Sequence, residues 1–116
     1  MKELQKRIRY SKLFNIYHSL LSNAQQEIME DYFNLDLSIS EIASNRDTSR
    51  SAVEDAIKKA MNKLDEYEEK LKVLERNENI KEKIEILKQK ALNSQEIEEI
   101  NEIEKELDYG IWSINR

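Results

Sequence analysis

Ser38-Ile39-Ser40-Glu41-Ile42-Ala43-Ser44-Asn45-Arg46-Asp47-Thr48-Ser49-Arg50-Ser51-Ala52-Val53-Glu54-Asp55-Ala56-Ile57-Lys58-Lys59 reads as two short amphipathic helices joined by a polar turn. Ser-x-x-Glu from Ser38 to Glu41 is a capping box: the hydroxyl accepts from the third backbone N–H and the carboxylate reaches back to the first. Ile39, Ile42 and Ala43 then share a face, and the small Ala43 allows a second helix to approach closely at a steep angle. Asn45 to Asp47 form the turn, and Thr48 or Ser49 caps the next helix. Val53, Ala56, Ile57 and Ala60 supply that helix's buried stripe. Arg50, Ser51, Glu54, Lys58 and Lys59 fall outside this stripe. The pattern is a helix-turn-helix, and its second helix is the one that would meet a nucleic-acid groove.

The rest of the chain extends the same helical grammar. A first helix is predicted from about Lys2 to Leu20, with Leu4, Ile8, Leu13, Ile16, Tyr17, Leu20 and Leu21 as its apolar stripe. Ser22 to Gln25 is a second capping box, ahead of Ile28, Met29, Tyr32 and Phe33 on a helix ending near Asn34. From Ser49 the apolar positions run on through Leu64, Tyr67, Leu71 and Leu74, which predicts one long recognition helix of about 25 residues, on the order of 38 Å. Asn77 and Asn79 mark an interruption. Ile80, Ile84, Leu87, Ala91 and Leu92 then define another helix, Asn93 to Glu96 a further cap, and Ile97, Ile100, Ile103 and Leu107 a last helix stopped by Gly110.

Composition narrows the function classes. The 116 residues include one glycine, no proline and no cysteine, which favours an all-α protein and removes disulfides, thiolate nucleophiles and cysteine-based zinc sites. No apolar run exceeds two residues, so neither a transmembrane span nor a signal-peptide core is expected, and the reading is of a soluble, cytoplasmic protein. One histidine, His18, leaves no Ser/His/Asp or Cys/His set, and a single glycine leaves no phosphate loop. The chain therefore reads as a non-enzymatic binding protein without cofactor or metal. Its 19 Lys and Arg against 24 Asp and Glu give a net charge of −5, the wrong sign for phosphate neutralisation as a whole. Lys2, Lys6, Arg7, Arg9 and Lys12 nevertheless concentrate positive charge near the start, and Lys2, Lys6, Arg7 and Arg9 are a candidate second nucleic-acid contact. Glu98, Glu102 and Glu106 share a helix face and read as a solvated acidic side. Trp112, with Ile111 and Tyr109, reads as docking the tail onto the bundle or, in the alternative, as an anchor for a partner.

Asp36 to Ala43, Ser49 to Val53, Ile57 to Lys59 and Leu64 to Leu71, in that order and spacing, resemble the YlxM family of small bacterial helix-turn-helix proteins. Leu20-Leu21-Ser22, Gln25 and Asp31-Tyr32-Phe33 fit the family's opening helices, so the likeness covers roughly Arg9 to Leu74; residues 75 to 116 match in length and helical character. The resemblance implies a fold like the promoter-reading C-terminal domain of sigma factors, within the winged-helix-like DNA-binding superfamily. It also implies a link to the signal recognition particle, as regulator or accessory protein, with DNA, the particle's RNA or its GTPase subunit as partners. Asp47 stands where the family usually has glycine, Arg46 and Thr48 where it is usually apolar, and Glu54 where an aromatic residue is common.

Two functional classes follow. In one, Arg50, Ser51, Glu54, Lys58 and Lys59 bind DNA or the particle's RNA. In the alternative, the chain is a protein–protein adaptor that contacts the GTPase without reading nucleic acid, with Glu54 and Asp55 facing a basic surface. The expected organisation is a helix-turn-helix domain over 1–66 and a C-terminal helical region over 67–116 for dimerisation or partner docking, the chain forming a homodimer or, in the alternative, a monomer with a three-helix C-terminal bundle.

Overall fold

In the computed structural model, residues 2–109 are described, and among them every regular element is helical. Helix α1 spans Lys2–Tyr17 and tightens into a 3-10 turn over His18–Leu20. Helix α2 covers Asn23–Met29 and widens into a π turn over Glu30–Asn34; α3 covers Ile39–Asn45, α4 Arg50–Leu71, α5 Val73–Lys90 and α6 Ser94–Tyr109.

The polar signals mark the helix starts as anticipated. Ser22 Oγ accepts from Gln25 N at 3.2 Å while Ser22 N donates to Gln25 Oε1 at 3.1 Å. The box at Ser38 is closed likewise, at 3.1 and 2.9 Å. Of the two candidates ahead of α4 it is Ser49 that caps, its hydroxyl accepting from Ala52 N at 3.1 Å. Asn93 Oδ1 accepts from Glu96 N at 2.9 Å ahead of α6. Each bond satisfies a donor that the helix itself leaves without a partner.

The core is built where α1, α2 and α3 close around α4. Leu13, Phe14, Ile16, Tyr17 and Leu21 pack with Met29, Ile42, Ala43, Val53, Ile57, Ala60 and Leu64, and Leu74 joins them from α5. The buried face of α1 is shifted towards its C-terminal half relative to the sequence stripe. Leu4, Ile8 and Leu20 are exposed, whereas Phe14, absent from that stripe, is almost fully buried and stacks on Phe33 with centroids 6.4 Å apart. The fully buried positions of α1 fall in its last two turns, Leu13 to Tyr17, while nearer its start Tyr10 packs against the core and bonds Asp65 Oδ2 at 2.7 Å. His18 rests edge-on against Phe14 at 5.8 Å, a packing role.

Two sequence expectations are corrected beyond Leu64. The long helix ends at Leu71 rather than Leu74, because Lys72 takes a left-handed conformation (φ 54°) and α5 starts at once with Val73. Asn77 and Asn79, expected to interrupt the pattern, lie inside α5, and Asn77 is buried. The break is stabilised by Glu68, a carboxylate in the buried stripe of α4. Its Oε1 accepts from Tyr17 Oη at 2.6 Å and from Leu74 N at 3.1 Å, and its Oε2 accepts from Glu75 N at 3.1 Å. Glu68 thus supplies from α4 the cap that Lys72 cannot give α5, and its negative charge sits at the positive end of that helix. Tyr17 Oη in turn accepts from Val73 N at 3.1 Å. Burial and then the Glu68 bond hold the Tyr17 hydroxyl well above its ordinary pKa.

Helices α5 and α6 form an antiparallel hairpin, and the molecule extends over 58 × 27 × 22 Å. Lys88 Nζ and Glu104 Oε1 meet at 2.6 Å across the hairpin, and that bond above all raises the lysine's pKa. Gly110, Ile111 and Trp112 lie outside the described residues, as does the side chain of Tyr109.

Candidate nucleic-acid interface

The turn between α3 and α4 carries the geometry. After Asn45, Asp47 N donates to Ser44 O at 3.3 Å and Thr48 N to Ala43 O at 3.0 Å, the paired bonds of a Schellman motif. That motif requires a left-handed residue at Asp47, which has φ 53°. Asp tolerates this region better than most residues with a Cβ, so it serves here in place of glycine. Hydrogen bonds from the Ser38 backbone, and next from its hydroxyl, hold the Glu41 carboxyl below the usual carboxylate range, fixing the other end of α3.

Arg46 locks the turn to the preceding helix. Its guanidinium bonds Asp31 Oδ2 at 2.8 Å and Glu27 Oε2 at 3.3 Å, and the Asp31 bond is the main cause of its raised pKa. A charged residue in the turn thus becomes a strap to the preceding helical segment, through Asp31 and Glu27. The cost of holding its long side chain is reduced because two carboxylates share it.

With α3 and α4 fixed in this way, Ile42, Ala43, Val53 and Ile57 face the core and Arg50, Ser51, Glu54, Lys58 and Lys59 are all exposed. Arg50 stands in the first turn of α4, and Lys58 lies two turns further along, about 12 Å up the axis. The face is mixed in sign. Lys59 Nζ pairs with Asp55 Oδ2 at 3.0 Å, and Lys63 Nζ lies 3.9 Å from Glu66 Oε2.

The N-terminal basic cluster is divided by the fold. Lys2, Lys6 and Arg9 are exposed on α1. Arg7 is half-buried: Nη2 donates to Tyr32 O at 2.6 Å and to Asp36 Oδ1 at 3.0 Å, while the guanidinium lies 4.4 Å from the Tyr32 ring centre and 5.3 Å from that of Phe33. These contacts tie α1 to the π turn and give Arg7 a structural role. Lys12 forms an ion pair with Glu78 at 3.0 Å. Sequence reading missed Glu68 and Tyr17 as a functional unit of the fold; the available signal was a glutamate four residues after Leu64, on the face of the buried stripe.

Two capped helices meeting at a Schellman turn, the second presenting an open polar side, define a helix-turn-helix protein of the all-α class. The chain belongs to the UPF0122 family, described as "Putative helix-turn-helix protein, YlxM / p13 like", whose model matches residues 4–104. It is 40% identical over 112 residues to a UPF0122 protein of Clostridium acetobutylicum, covering 90% of this chain and 97% of that one. It is also 40% identical over 105 residues to the UPF0122 protein YlxM of Bacillus subtilis, covering 90% and 96% of the two chains. A UPF0122 protein of Fusobacterium nucleatum is 44% identical over 82 residues, 71% of this chain and 80% of its own. Among the described residues, no helix is long and apolar enough to cross a membrane.

Proposed function

We propose that the α3–α4 unit binds nucleic acid, DNA or the RNA of the signal recognition particle, and that the protein acts in the cytoplasm as a regulator or accessory component of that particle's pathway. The observation that carries this reading is the exposed first half of α4, held by the Schellman bonds that end α3 and the Ser49 cap that starts α4, with Arg50, Ser51 and Lys58 on its open side. Arg50 and Lys58 neutralise phosphate, Ser51 donates to a phosphate or base edge, and Glu54 accepts from cytosine N4. Lys2, Lys6 and Arg9 are a second, weaker contact through charge alone, and Arg7 positions α1 rather than touching the ligand. In this reading residues 1–66 form the binding unit and 67–116 the docking and dimerisation region.

The test is retention of the intact protein on immobilised duplex DNA and on signal recognition particle RNA at low salt. Arg50→Glu combined with Lys58→Glu abolishes retention if the face is correctly assigned, and the wild-type signal falls steeply as salt rises. Unchanged retention of the double variant rejects the face.

A second reading is favoured by charge. Asp55 neutralises Lys59, Glu54 lies beside them, and the whole chain carries −5. On this reading α4 presents its acids to a basic protein surface such as that of the particle's GTPase, and the fold serves as an adaptor. Pull-down with and without nuclease separates the two, because an adaptor keeps its partner after digestion.

A further inference from the structure

Helix α6 has sixteen residues, and among its described side chains none is buried. Its partner α5 buries Leu74 in the core and Ile84 further along, yet Leu87 remains 51% exposed. Ile103, across the hairpin on α6, is also 51% exposed. A two-helix hairpin cannot enclose an apolar stripe by itself, so this face is half of a core.

The charges around it say what the other half is. On α5, Lys83, Leu87 and Lys90 follow at four and three residues and lie on one face; on α6, Glu99, Ile103 and Glu106 repeat the same spacing. Leu87, Lys90, Glu99 and Ile103 line a common shallow groove between the helices, and Glu106 continues it along α6. The face is therefore base, apolar, base on one helix and acid, apolar, acid on the other. More widely, α5 carries five basic residues against four acidic ones, while α6 carries seven acidic residues against Lys105 alone. Nucleic acid and anionic lipid are repelled by α6. A basic helix would suit α6 and meet Lys83 and Lys90. A second copy of the same hairpin satisfies both halves at once, because a two-fold axis lays α5 of each chain on α6 of the other.

Resting on the reading of residues 67–116 as a dimerisation region, we propose that the α5–α6 hairpin is a self-complementary interface, and that two chains join through it into a four-helix bundle, with Lys83 and Lys90 of each copy opposite Glu99 and Glu106 of the other. Leu87 and Ile103 fill the centre of that bundle, and the charged pairs set which helix faces which. The helix-turn-helix units stand outside the interface, leaving Arg50 and Lys58 open in the assembled pair.

The test is the mass of the full chain in solution by sedimentation equilibrium. The wild type is expected at twice 13.8 kDa. Lys83→Glu with Lys90→Glu, and separately Glu99→Lys with Glu106→Lys, each place like charges across the interface and are expected to sediment at 13.8 kDa. An equimolar mixture of the two variants is expected to regain the doubled mass. A monomeric wild type, variants that stay paired, or a mixture that does not recombine overturns the proposal. Should a charge variant lose its helical circular dichroism, disulfide trapping decides instead, since the chain has no cysteine of its own. Leu87→Cys and Ile103→Cys chains, mixed and oxidised, form a covalent heterodimer if the hairpins pair as stated, and remain uncrosslinked if they do not.

Discussion

The Tyr17 hydroxyl donates to Glu68 Oε1 at 2.6 Å inside the core, joining the last turn of α1 to the joint between α4 and α5. Glu68 is only 8% exposed, so its charge is tolerable only because three donors surround it. Tyr17→Phe removes one of those donors and leaves Val73 N without its acceptor. The variant should lose about 1–3 kcal/mol of stability, read as a lower urea midpoint at constant slope. A midpoint equal to wild type would show that the bond is dispensable.

The same hydroxyl, with that of Tyr10, makes the fold sensitive to alkali. Burial first, then a 2.7 Å bond to Asp65 and the charge of that carboxylate, push Tyr10 up to about 12. Both tyrosines hold their protons more tightly when folded than when unfolded. Their contribution is complete below the unfolded value of about 10 and is lost as pH rises through it towards the folded values. Urea midpoints should therefore fall above about pH 10, and Tyr10→Phe should make that fall shallower.

Asp47 tests the turn. At φ 53° a β-branched side chain meets the backbone, so Asp47→Val should destabilise the fold by about 1–2 kcal/mol, whereas Asp47→Gly should be close to neutral. Thermal unfolding separates them. Equal losses would show that the left-handed geometry at this residue is not what sets the turn.

Asp55 separates the two functional readings. Asp55→Asn releases Lys59 from its 3.0 Å ion pair and removes a negative charge from the exposed face of α4. If α4 binds phosphate, affinity for duplex or signal recognition particle RNA should rise and its salt dependence should steepen by about one counterion. If α4 faces a basic protein, capture of that partner should weaken instead.

What sequence made legible was mostly local. Ser22, Ser38, Ser49 and Asn93 act within one helical turn of themselves, so their capping roles could be read from three or four residues. The left-handed Asp47 was signalled by the family resemblance, which puts glycine at that place, rather than by the residues around it. The break at Lys72 was not, because neither glycine nor proline marks it. What permits it is Glu68 reaching across from one helix to the next, with Tyr17 behind it from 51 residues earlier. Arg7 misled in a related way: a cation among cations reads as a surface cluster until Tyr32, Phe33 and Asp36 are folded onto it. At the candidate site the exposure of Arg50 and Lys58 followed from periodicity, while the neutralising of Lys59 by Asp55 depended on rotamers that spacing alone does not choose.

The single left-handed residue at Lys72 is a hinge pin with no slack. Because α5 begins immediately after it, the heading of the hairpin is tied to the phase at which α4 stops. Inserting or deleting one residue there would rotate the point of departure by about 100° around the α4 axis. A change of length at this elbow would therefore re-aim the whole arm, whereas one at the far tip, between Lys90 and Ser94, would leave the direction of α5 as it is.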